Sequence, residues 1–202
     1  MNNYPALVDS ICVDKKNRLL SYDPSLKLIG IGRSAFVFRI ETSDLAIKVF
    51  FPDFEYITEE EVAIYNVLQD SPYFPSIYEN GPNYIVMDYI EGDTFFRCLT
   101  NGRRITSDHL EEVDTALSWA SDSGLNPSDI HLRNIFMTPD GSIKLIDVAR
   151  YKQTKTCRQW RDLKKAHAEI YSKPFFAKKM PKLFLNTLAF IYKKGWIPTY
   201  RV

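Results

Sequence analysis

The sequence contains little cysteine, no long apolar run and no low-complexity tract. Its 202 residues include three cysteines, Cys12, Cys98 and Cys157, which lie far apart and form no Cys-x-x-Cys pair. A disulfide framework or a cysteine-rich metal site needs closer or more numerous cysteines, so we expect a reducing, cytoplasmic location. No apolar segment approaches the roughly 18 residues that a membrane span requires. The start, MNNYPALVDS, lacks the basic-then-apolar pattern of a signal peptide.

Acidic residues are scarce in the last quarter of the chain. Residues 150–202 contain 14 lysines and arginines against 2 acids, whereas residues 1–149 contain the other 12 basic residues and 23 acids. Such a basic segment can meet nucleic acid, an acidic partner or an anionic membrane surface, or it can neutralise the acidic body of the same fold. Among external partners we favour an acidic protein over nucleic acid.

The first half of the chain has the pattern of an antiparallel sheet with one inserted helix. Residues 5–20 predict a weak helix. Residues 26–51 are rich in β-branched and aromatic side chains and are broken by glycines and a Ser-Asp pair, which predicts three strands joined by turns. Residues 57–70 predict a helix with acids at its N-terminal end. Residues 76–90 predict a hairpin with an Asn-Gly-Pro-Asn turn.

The second half changes to mainly helical patterns, with a boundary near Gly92. A well-marked helix ends at Gly124, and either Ser107 or Asp108 can cap its start. Two short strands, IFM and SIKLID, follow, and helices are expected from about Thr156 onward. The side chains predicted to face inward from the capped helix are Leu110, Val113, Leu117 and Ala120.

A glycine-rich turn lies between the first two predicted strands. Gly30-Ile31-Gly32 is followed by Ala35 and Val37. Glycines let the backbone come close to a bulky anion and let its N–H groups face phosphate oxygens. Alone the pattern is weak evidence, since a glycine pair in a hairpin often only makes a turn.

Lys48 interrupts the otherwise apolar strand LAIKVF. A lysine there could be an edge or snorkelling residue. With an acid on the following helix, it could instead be an ion-paired group that reaches a phosphate. Glu60 and Glu61 are the candidate partners, and the spacing to Tyr65 favours Glu61.

Two acids and an amide surround a short apolar ladder in the second half. Asp129 and Asn134 lie five positions apart with His131 between them, and Asp147 ends the run SIKLID. Phosphoryl transfer needs a carboxylate to accept a hydroxyl proton and oxygen ligands to hold Mg²⁺. These three side chains supply both.

Taken in order, these elements resemble the protein-kinase-like superfamily over roughly residues 26–150. The glycine turn matches the glycine-rich loop, LAIK matches Val-Ala-Ile-Lys, and SDIHLRN keeps the Asp-x₄-Asn spacing of the catalytic loop. LIDVA stands where the Asp-Phe-Gly triplet is expected, and YIVMDYIEG resembles strand five and the hinge. The resemblance implies a two-lobed α+β fold in one domain, with an antiparallel β N-lobe at about residues 1–91 and a small α-helical C-lobe at about 92–202.

The resemblance also implies that ATP and Mg²⁺ are the cofactors. Lys48 would contact the α- and β-phosphates and Glu61 would hold it, while Asp129 would accept the proton of the acceptor hydroxyl. His131, two positions after Asp129, is also implied as a catalytic residue. The implied metal ligands are Asn134 and Asp147. The other residues implied in ATP binding are Gly30, Ile31, Gly32, Arg33, Ser34, Ala35, Val37, Ala46, Met87, Asp88 and Ile90.

The sequence departs from the kinase pattern in ways that keep three functions open. Ala35 replaces the third loop glycine, Pro127-Ser128 replaces the catalytic-loop His-Arg, and Val148-Ala149 follows the triplet's Asp. His131 stands where protein kinases carry lysine and resembles the aminoglycoside- and choline-phosphotransferase branch. We expect a compact serine/threonine protein kinase. The alternatives are a small-molecule phosphotransferase, which His131 favours, and an ATP-binding pseudokinase scaffold, which the lost loop residues favour.

The stripe LFLNTLAFIY, residues 183–192, is flanked by lysines. Such a stripe could lie on a membrane surface. We expect it instead to be the last helix, packed on the α-helical lobe.

Overall fold

The computed structural model describes residues 3–41, 43–155 and 157–196. It divides into two compact units. The first reaches to Ile90 and includes the short segment Asp147–Ala149; the second comprises Glu91–Ile146 and the chain from Arg150 onward. That both units form one kinase-like domain stays a prediction.

The first unit is built on a five-stranded antiparallel sheet in the order β3-β4-β5-β7-β6. Turn-forming residues separate strands whose β-branched and aromatic side chains suit a pleated, half-buried surface. A short helix and a two-stranded ribbon precede the sheet, and one longer helix is inserted after β5. The bounds are α1 Tyr4–Asp9, β1 Cys12–Val13, β2 Leu19–Ser21, β3 Leu26–Ile31, β4 Ala35–Ile40, β5 Leu45–Phe50, α2 Tyr56–Leu68, β6 Ile77–Asn80 and β7 Tyr84–Asp88.

Buried side chains of β4, β5 and β7 form the core on one face of this sheet. Phe38, Ile47 and Val86 are completely buried there. Val8 of α1 packs into the same cluster, so the N-terminal helix covers the sheet. Burial on this scale dominates the stability of the unit and makes the three central strands rigid. The strand that carries Lys48 is therefore held firmly in place.

The second unit is mainly helical and contains one small antiparallel sheet in the order β10-β9-β8. Its longest helix begins after Thr106, whose hydroxyl accepts from the His109 N–H while the His109 ring accepts from the Thr106 N–H. A π-helical turn, His167–Tyr171, extends α5. The bounds are β8 Asp93–Thr94, α3 Phe95–Asn101, α4 Ser107–Asp122, β9 Ile135–Met137, β10 Ile143–Leu145, α5 Gln159–Ala166 and α6 Lys182–Lys193.

The structure confirms the predicted α+β fold class with antiparallel sheets, and it corrects two local predictions. Residues 5–20 do not form one helix: α1 ends at Asp9 and the ribbon β1–β2 follows. Neither Ser107 nor Asp108 caps α4, because Thr106 does so. Helix α3 was not predicted. Across the residues that the structure describes, no helix has the length and apolar character needed to cross a bilayer.

Candidate active site

The glycine turn joins β3 to β4. A Cβ atom on Gly32 would lie 3.3 Å from the Ala35 carbonyl oxygen, a tight contact, whereas at Gly30 neither the backbone nor the packing requires glycine. Neither Gly30 nor Gly32 has a left-handed φ, and a Cβ atom on Gly30 would meet Val37 only at an ordinary 3.5 Å. A glycine that the protein's own packing does not explain is consistent with close approach of a ligand to the backbone. The Gly32 N–H is already donated to the Ala35 carbonyl at 2.8 Å, so this group does not face outward as predicted.

Ala35, at the position of the missing third glycine, points into the protein. Its side chain is buried, and the residue pairs with Phe50 across β4 and β5. The methyl group therefore belongs to the core and does not narrow the outer side of the turn. Ile31, by contrast, is one of the most exposed apolar side chains, at 70%. Arg33 and Ser34 form the tip of the turn.

Three of the predicted residues meet in the first unit around the Lys48 ammonium group. Its Nζ lies 2.7 Å from both carboxylate oxygens of Glu61 and 3.3 Å from Oδ1 of Asp147. β5 presents Lys48 opposite Val37 on one side and Ile85 on the other. Glu61 comes from α2, so the helix and the strand are joined by a buried, charge-assisted pair.

Burial and charge act together on this cluster. Burial opposes the charged form of Lys48, but the two carboxylates outweigh it and raise the pKa of the ammonium group. Burial raises the pKa of Glu61, and the Lys48 ammonium opposes that rise. Glu61 is completely buried, whereas the Asp147 side chain is 49% exposed. The arrangement holds Lys48 protonated and leaves Asp147 open to a second cation.

Four of the residues predicted to bind ATP, Ala46, Met87, Asp88 and Ile90, lie on β5, on β7 or just after β7. Ala46 and Met87 are buried and pair directly across the two strands. The Asp88 N–H donates to the Ser76 carbonyl, and its carboxylate accepts from the Ser76 N–H and the Tyr78 hydroxyl. Within the described part of the chain, the Ile90 N–H donates to no other backbone group, unlike the Asp88 and Tyr89 N–H groups.

In the second unit, Asp129, His131 and Asn134 share one loop between α4 and β9. The Asn134 amide Nδ2 donates to the Asp129 carbonyl at 3.2 Å, and its backbone N–H donates to the His131 carbonyl at 2.8 Å. The Ile146 N–H donates to the Asn134 carbonyl at 3.0 Å. Asn134 is thus buried and fixed from three sides, with its side-chain oxygen uncommitted by these bonds.

The same loop is tied to the chain just after Asp147 by side chains that were not predicted as functional. The buried Ser128 hydroxyl donates to the Arg150 carbonyl at 2.6 Å, and the Asn126 amide donates to the Gln153 carbonyl at 2.6 Å. The Arg150 Nε lies 3.6 Å from Oδ2 of Asp129. These contacts support the loop where the kinase-type His-Arg pair is missing. Nothing in the sequence signalled them, because small polar residues in a loop have no distinctive spacing.

His131 takes part in the turn of the loop. Its Nδ1 accepts from the Arg133 N–H at 3.3 Å. The Arg133 guanidinium lies 3.6 Å from the centre of the Phe96 ring and donates to the Asn186 side chain at 2.9 Å. The loop is therefore also held from its far side, by α3 and α6.

The predicted catalytic acid, Asp129, and the predicted metal ligand, Asp147, both have an unusual backbone conformation. Asp129 has φ +59° and Asp147 has φ +63°, and among the described residues Asn17 is the only other non-glycine with positive φ. A left-handed conformation is costly for a residue with a Cβ atom, and such strain concentrates at functional sites. The structure thus groups Lys48, Glu61 and Asp147 in one unit and Asp129, His131 and Asn134 in the other; their catalytic roles stay predictions.

Comparison with known proteins finds relatives named as serine/threonine-protein kinases. No family model matches the chain. A Bacillus subtilis protein named "Putative serine/threonine-protein kinase YrzF" is 50% identical over 173 residues, which cover 85% of this chain and 80% of that protein. A Clostridium acetobutylicum protein named "Probable serine/threonine-protein kinase" is 27% identical over 139 residues, 59% of this chain and 21% of that protein. "Serine/threonine-protein kinase Nek1" of Mus musculus is 35% identical over 88 residues, 41% of this chain and 7% of that protein.

Proposed function

The chain belongs to the same family as the Bacillus subtilis protein YrzF, and from that premise we propose that it transfers the γ-phosphate of ATP to serine or threonine hydroxyls of proteins. The observation that carries the proposal is the buried Lys48–Glu61 pair with Asp147 beside it. A lysine held by one fully buried acid and shared with a half-exposed acid is the arrangement that phosphate binding next to a metal ion requires.

Lys48 would bind the α- and β-phosphates. Its pKa is raised, so it stays an ammonium group at neutral pH. Glu61 fixes the direction of the side chain, because both of its oxygens accept from Nζ. The turn Gly30–Val37 would cover the phosphates, and its lack of side chains at two positions would allow the backbone to approach them.

Mg²⁺ would neutralise charge on the phosphates, and Asn134 and Asp147 would hold it. Both supply the hard oxygen ligands that this ion prefers. When ionised, Lys48, Glu61 and Asp147 together carry one excess negative charge, and the exposed carboxylate belongs to Asp147. The Asn134 nitrogen is committed to the Asp129 carbonyl, which leaves the amide oxygen for a cation. The donor set therefore fits the ion.

Asp129 would orient the acceptor hydroxyl and take its proton. Its carboxylate is mostly shielded from solvent, with 20% of the side chain exposed, and the Arg150 guanidinium lies beside it. The strained backbone and the bonds from Ser128 and Asn134 restrict where the carboxylate can be. Because phosphoryl transfer depends mostly on positioning and charge stabilisation, this restriction would contribute directly to the rate.

Adenine would bind beside Ala46 and Met87. The Ile90 N–H would donate to the base, since the Asp88 and Tyr89 N–H groups already donate within the protein. For the acceptor we propose a protein hydroxyl, following the names of the relatives. The basic segment 150–202 would favour an acidic surface on that protein, although residues 197–202 lie outside the described part of the chain.

Phosphotransfer from γ-labelled ATP with Mg²⁺ tests the proposal. Wild-type protein, Asp129→Asn and the control Asp122→Asn would be compared, with the chain itself, acidic and basic proteins and a metabolite extract as acceptors. Asp122 is an exposed acid at the end of α4, so its substitution tests for a general effect of losing one negative charge. We expect protein-bound label with wild type and Asp122→Asn, and a loss of about a hundredfold or more with Asp129→Asn.

The other outcomes separate the competing functions. Label on a metabolite but not on protein would replace the protein substrate by a small molecule. ATP binding without label on any acceptor would indicate a scaffold. Equal turnover by wild type and Asp129→Asn would remove Asp129 from the proposed mechanism.

A further inference from the structure

The last described helix, α6, keeps most of its apolar residues in water. In the helix itself only Leu185 is buried. Leu183 is 77% exposed and Phe190 is 55% exposed. The sequence prediction that this stripe packs on the helical unit thus holds for one side of the helix only. The other exposed apolar residues of α6 are Phe184 and Leu188.

The exposed side chains share one face. At about 100° per residue, the positions from Phe190 through Leu183 and Phe184 to Leu188 fall within an arc of about 160°. Trp196 extends this face beyond the helix: it is 69% exposed and its ring stands edge-on to Phe190, with centroids 6.4 Å apart. We call Leu183, Phe184, Leu188, Phe190 and Trp196 the apolar face.

The opposite side of α6 is anchored to its own unit. Leu185 is buried, the Tyr192 hydroxyl donates to Asp162 at 2.7 Å, and Asn186 accepts from Arg133 at 2.9 Å. The helix is therefore fixed by these contacts and does not depend on the apolar face for its place. A large exposed apolar face on an anchored helix marks an interaction surface.

The charged residues in the stretch of sequence that carries this face are all basic. From Tyr171 to the end of the chain the sequence contains seven basic residues and no acid. Lys182 and Lys193 are the first and last residues of α6, and the Lys194 ammonium lies 5.7 Å from the Phe190 ring centre. Among the residues that the structure describes, none of these three lysines forms an ion pair. Lys182 also lies in the first turn, where the helix dipole disfavours a cation, so helix stability does not explain it.

We propose that the apolar face and its lysines bind the surface of an anionic lipid bilayer. A bilayer offers a partner to both kinds of side chain: acidic headgroups contact the lysines, and an apolar layer contacts the aromatic and aliphatic side chains. A second copy of the chain would bring lysines against lysines, because the patch contains no acid to pair with them. An acidic protein surface would satisfy the lysines but would leave the apolar face without a partner.

Vesicle sedimentation with the full chain tests this binding. The probes are vesicles of phosphatidylcholine alone and vesicles of an equal mixture of phosphatidylcholine and phosphatidylglycerol. We expect binding to the mixed vesicles that weakens with added salt, and little binding to phosphatidylcholine. The double variant Leu183→Ser/Phe190→Ser should bind the mixed vesicles at least about tenfold more weakly, since two exposed apolar side chains are lost.

The matched control is Leu20→Ser/Tyr56→Ser. These residues are 67% and 72% exposed and lie in the first unit. Their substitution therefore removes a similar amount of exposed apolar surface without changing α6. Vesicle binding by this control should equal that of wild type. Trp196 adds a local readout: its fluorescence should shift to the blue with mixed vesicles, and Trp196→Phe should lose that shift.

Three results would overturn the proposal. The first is no binding to mixed vesicles. The second is binding that the α6 variant leaves unchanged, which would mean that the lysines act without the apolar face. The third is a soluble dimer that the α6 variant dissociates while vesicles bind nothing, which would assign the face to a second copy. None of these readouts depends on kinase activity, so they are independent of the proposed function.

Discussion

The Ser128 hydroxyl donates to the Arg150 carbonyl at 2.6 Å, while the Arg150 side chain lies 3.6 Å from the Asp129 carboxylate. Arg150 is thus held through its carbonyl by Ser128, the residue before Asp129. Its guanidinium approaches the Asp129 carboxylate. Ser128 is completely buried, so its hydroxyl must find a partner inside the protein. The contact joins the candidate catalytic loop to the chain after Asp147, in a loop that lacks the His-Arg pair of the kinase pattern.

Ser128→Ala should therefore affect both stability and activity. The Arg150 carbonyl would lose a buried donor, at a cost of about 1–3 kcal/mol in the free energy of unfolding. Turnover should fall while the affinity for ATP stays within about twofold, because the change loosens the loop of Asp129 and not the Lys48 cluster. Urea unfolding and nucleotide titration measure the two effects.

Ser121→Ala is the matched control. The exposed Ser121 hydroxyl also donates to a backbone carbonyl, that of Leu117 at 3.0 Å. Its loss should change stability by less than about 0.5 kcal/mol. Equal behaviour of the two variants would contradict a supporting role for Ser128.

The Lys48→Met variant should lose stability as the pH rises, because Glu61 would be left buried without its cation. Glu61 would remain buried without its cation, so its pKa, already raised from the ordinary 4.5, would rise further. A folded-state pKa above the unfolded one gives stability that is present at low pH and lost as pH rises through the folded value. We expect the variant to lose about 3 kcal/mol relative to wild type at neutral pH. The loss should be smaller at about pH 5 than at about pH 8.

The double variant Lys48→Met/Glu61→Leu is the control for this reasoning. Replacing a buried ion pair by apolar groups is often neutral, so most of the lost stability should return and the new pH dependence should vanish. Phosphotransfer should stay absent in both variants. A double variant as unstable as the single one would show that packing, not the unpaired carboxyl group, causes the defect.

Gly30→Ala should weaken ATP binding, whereas Gly92→Ala should lower the free energy of unfolding. A Cβ atom on Gly30 meets only an ordinary contact, whereas on Gly92, at φ +149°, it would lie 2.5 Å from the Met137 carbonyl. Gly30→Ala should leave the unfolding free energy within about 1 kcal/mol of wild type. Its ATP affinity should fall at least about tenfold, because the added methyl group intrudes where the phosphates approach. Gly92→Ala should lose about 2 kcal/mol or more of stability. A Gly30→Ala protein with unchanged ATP affinity would contradict phosphate binding at the turn.

Sequence reasoning worked where one strong pattern decided the structure. The β-branched and aromatic run broken by turn residues located β3 to β5, and the isolated lysine in LAIKVF located the ion pair with Glu61. It failed where tertiary contacts outweighed local preference. α3 is too short for a periodic signal, and Thr106 caps α4 because the His109 ring completes the capping box. The left-handed conformations of Asp129 and Asp147 also left no trace in the sequence, since aspartate is a common residue in any loop.

That backbone conformation decides how Asp147 should be tested. At φ +63° an asparagine is tolerated at least as well as aspartate, whereas alanine is not. Asp147→Asn should stay within about 1 kcal/mol of wild-type stability, because the Asp147 side chain is half-exposed and Lys48 keeps its shorter ion pair with Glu61. Asp147→Ala should lose about 1 kcal/mol more, through backbone strain.

Both Asp147 variants should bind ATP equally with and without Mg²⁺, while wild type should bind it more tightly with the ion. Calorimetric titration in the two conditions measures this difference, and an Asp147→Asn protein that keeps the Mg²⁺ effect would exclude Asp147 as a metal ligand.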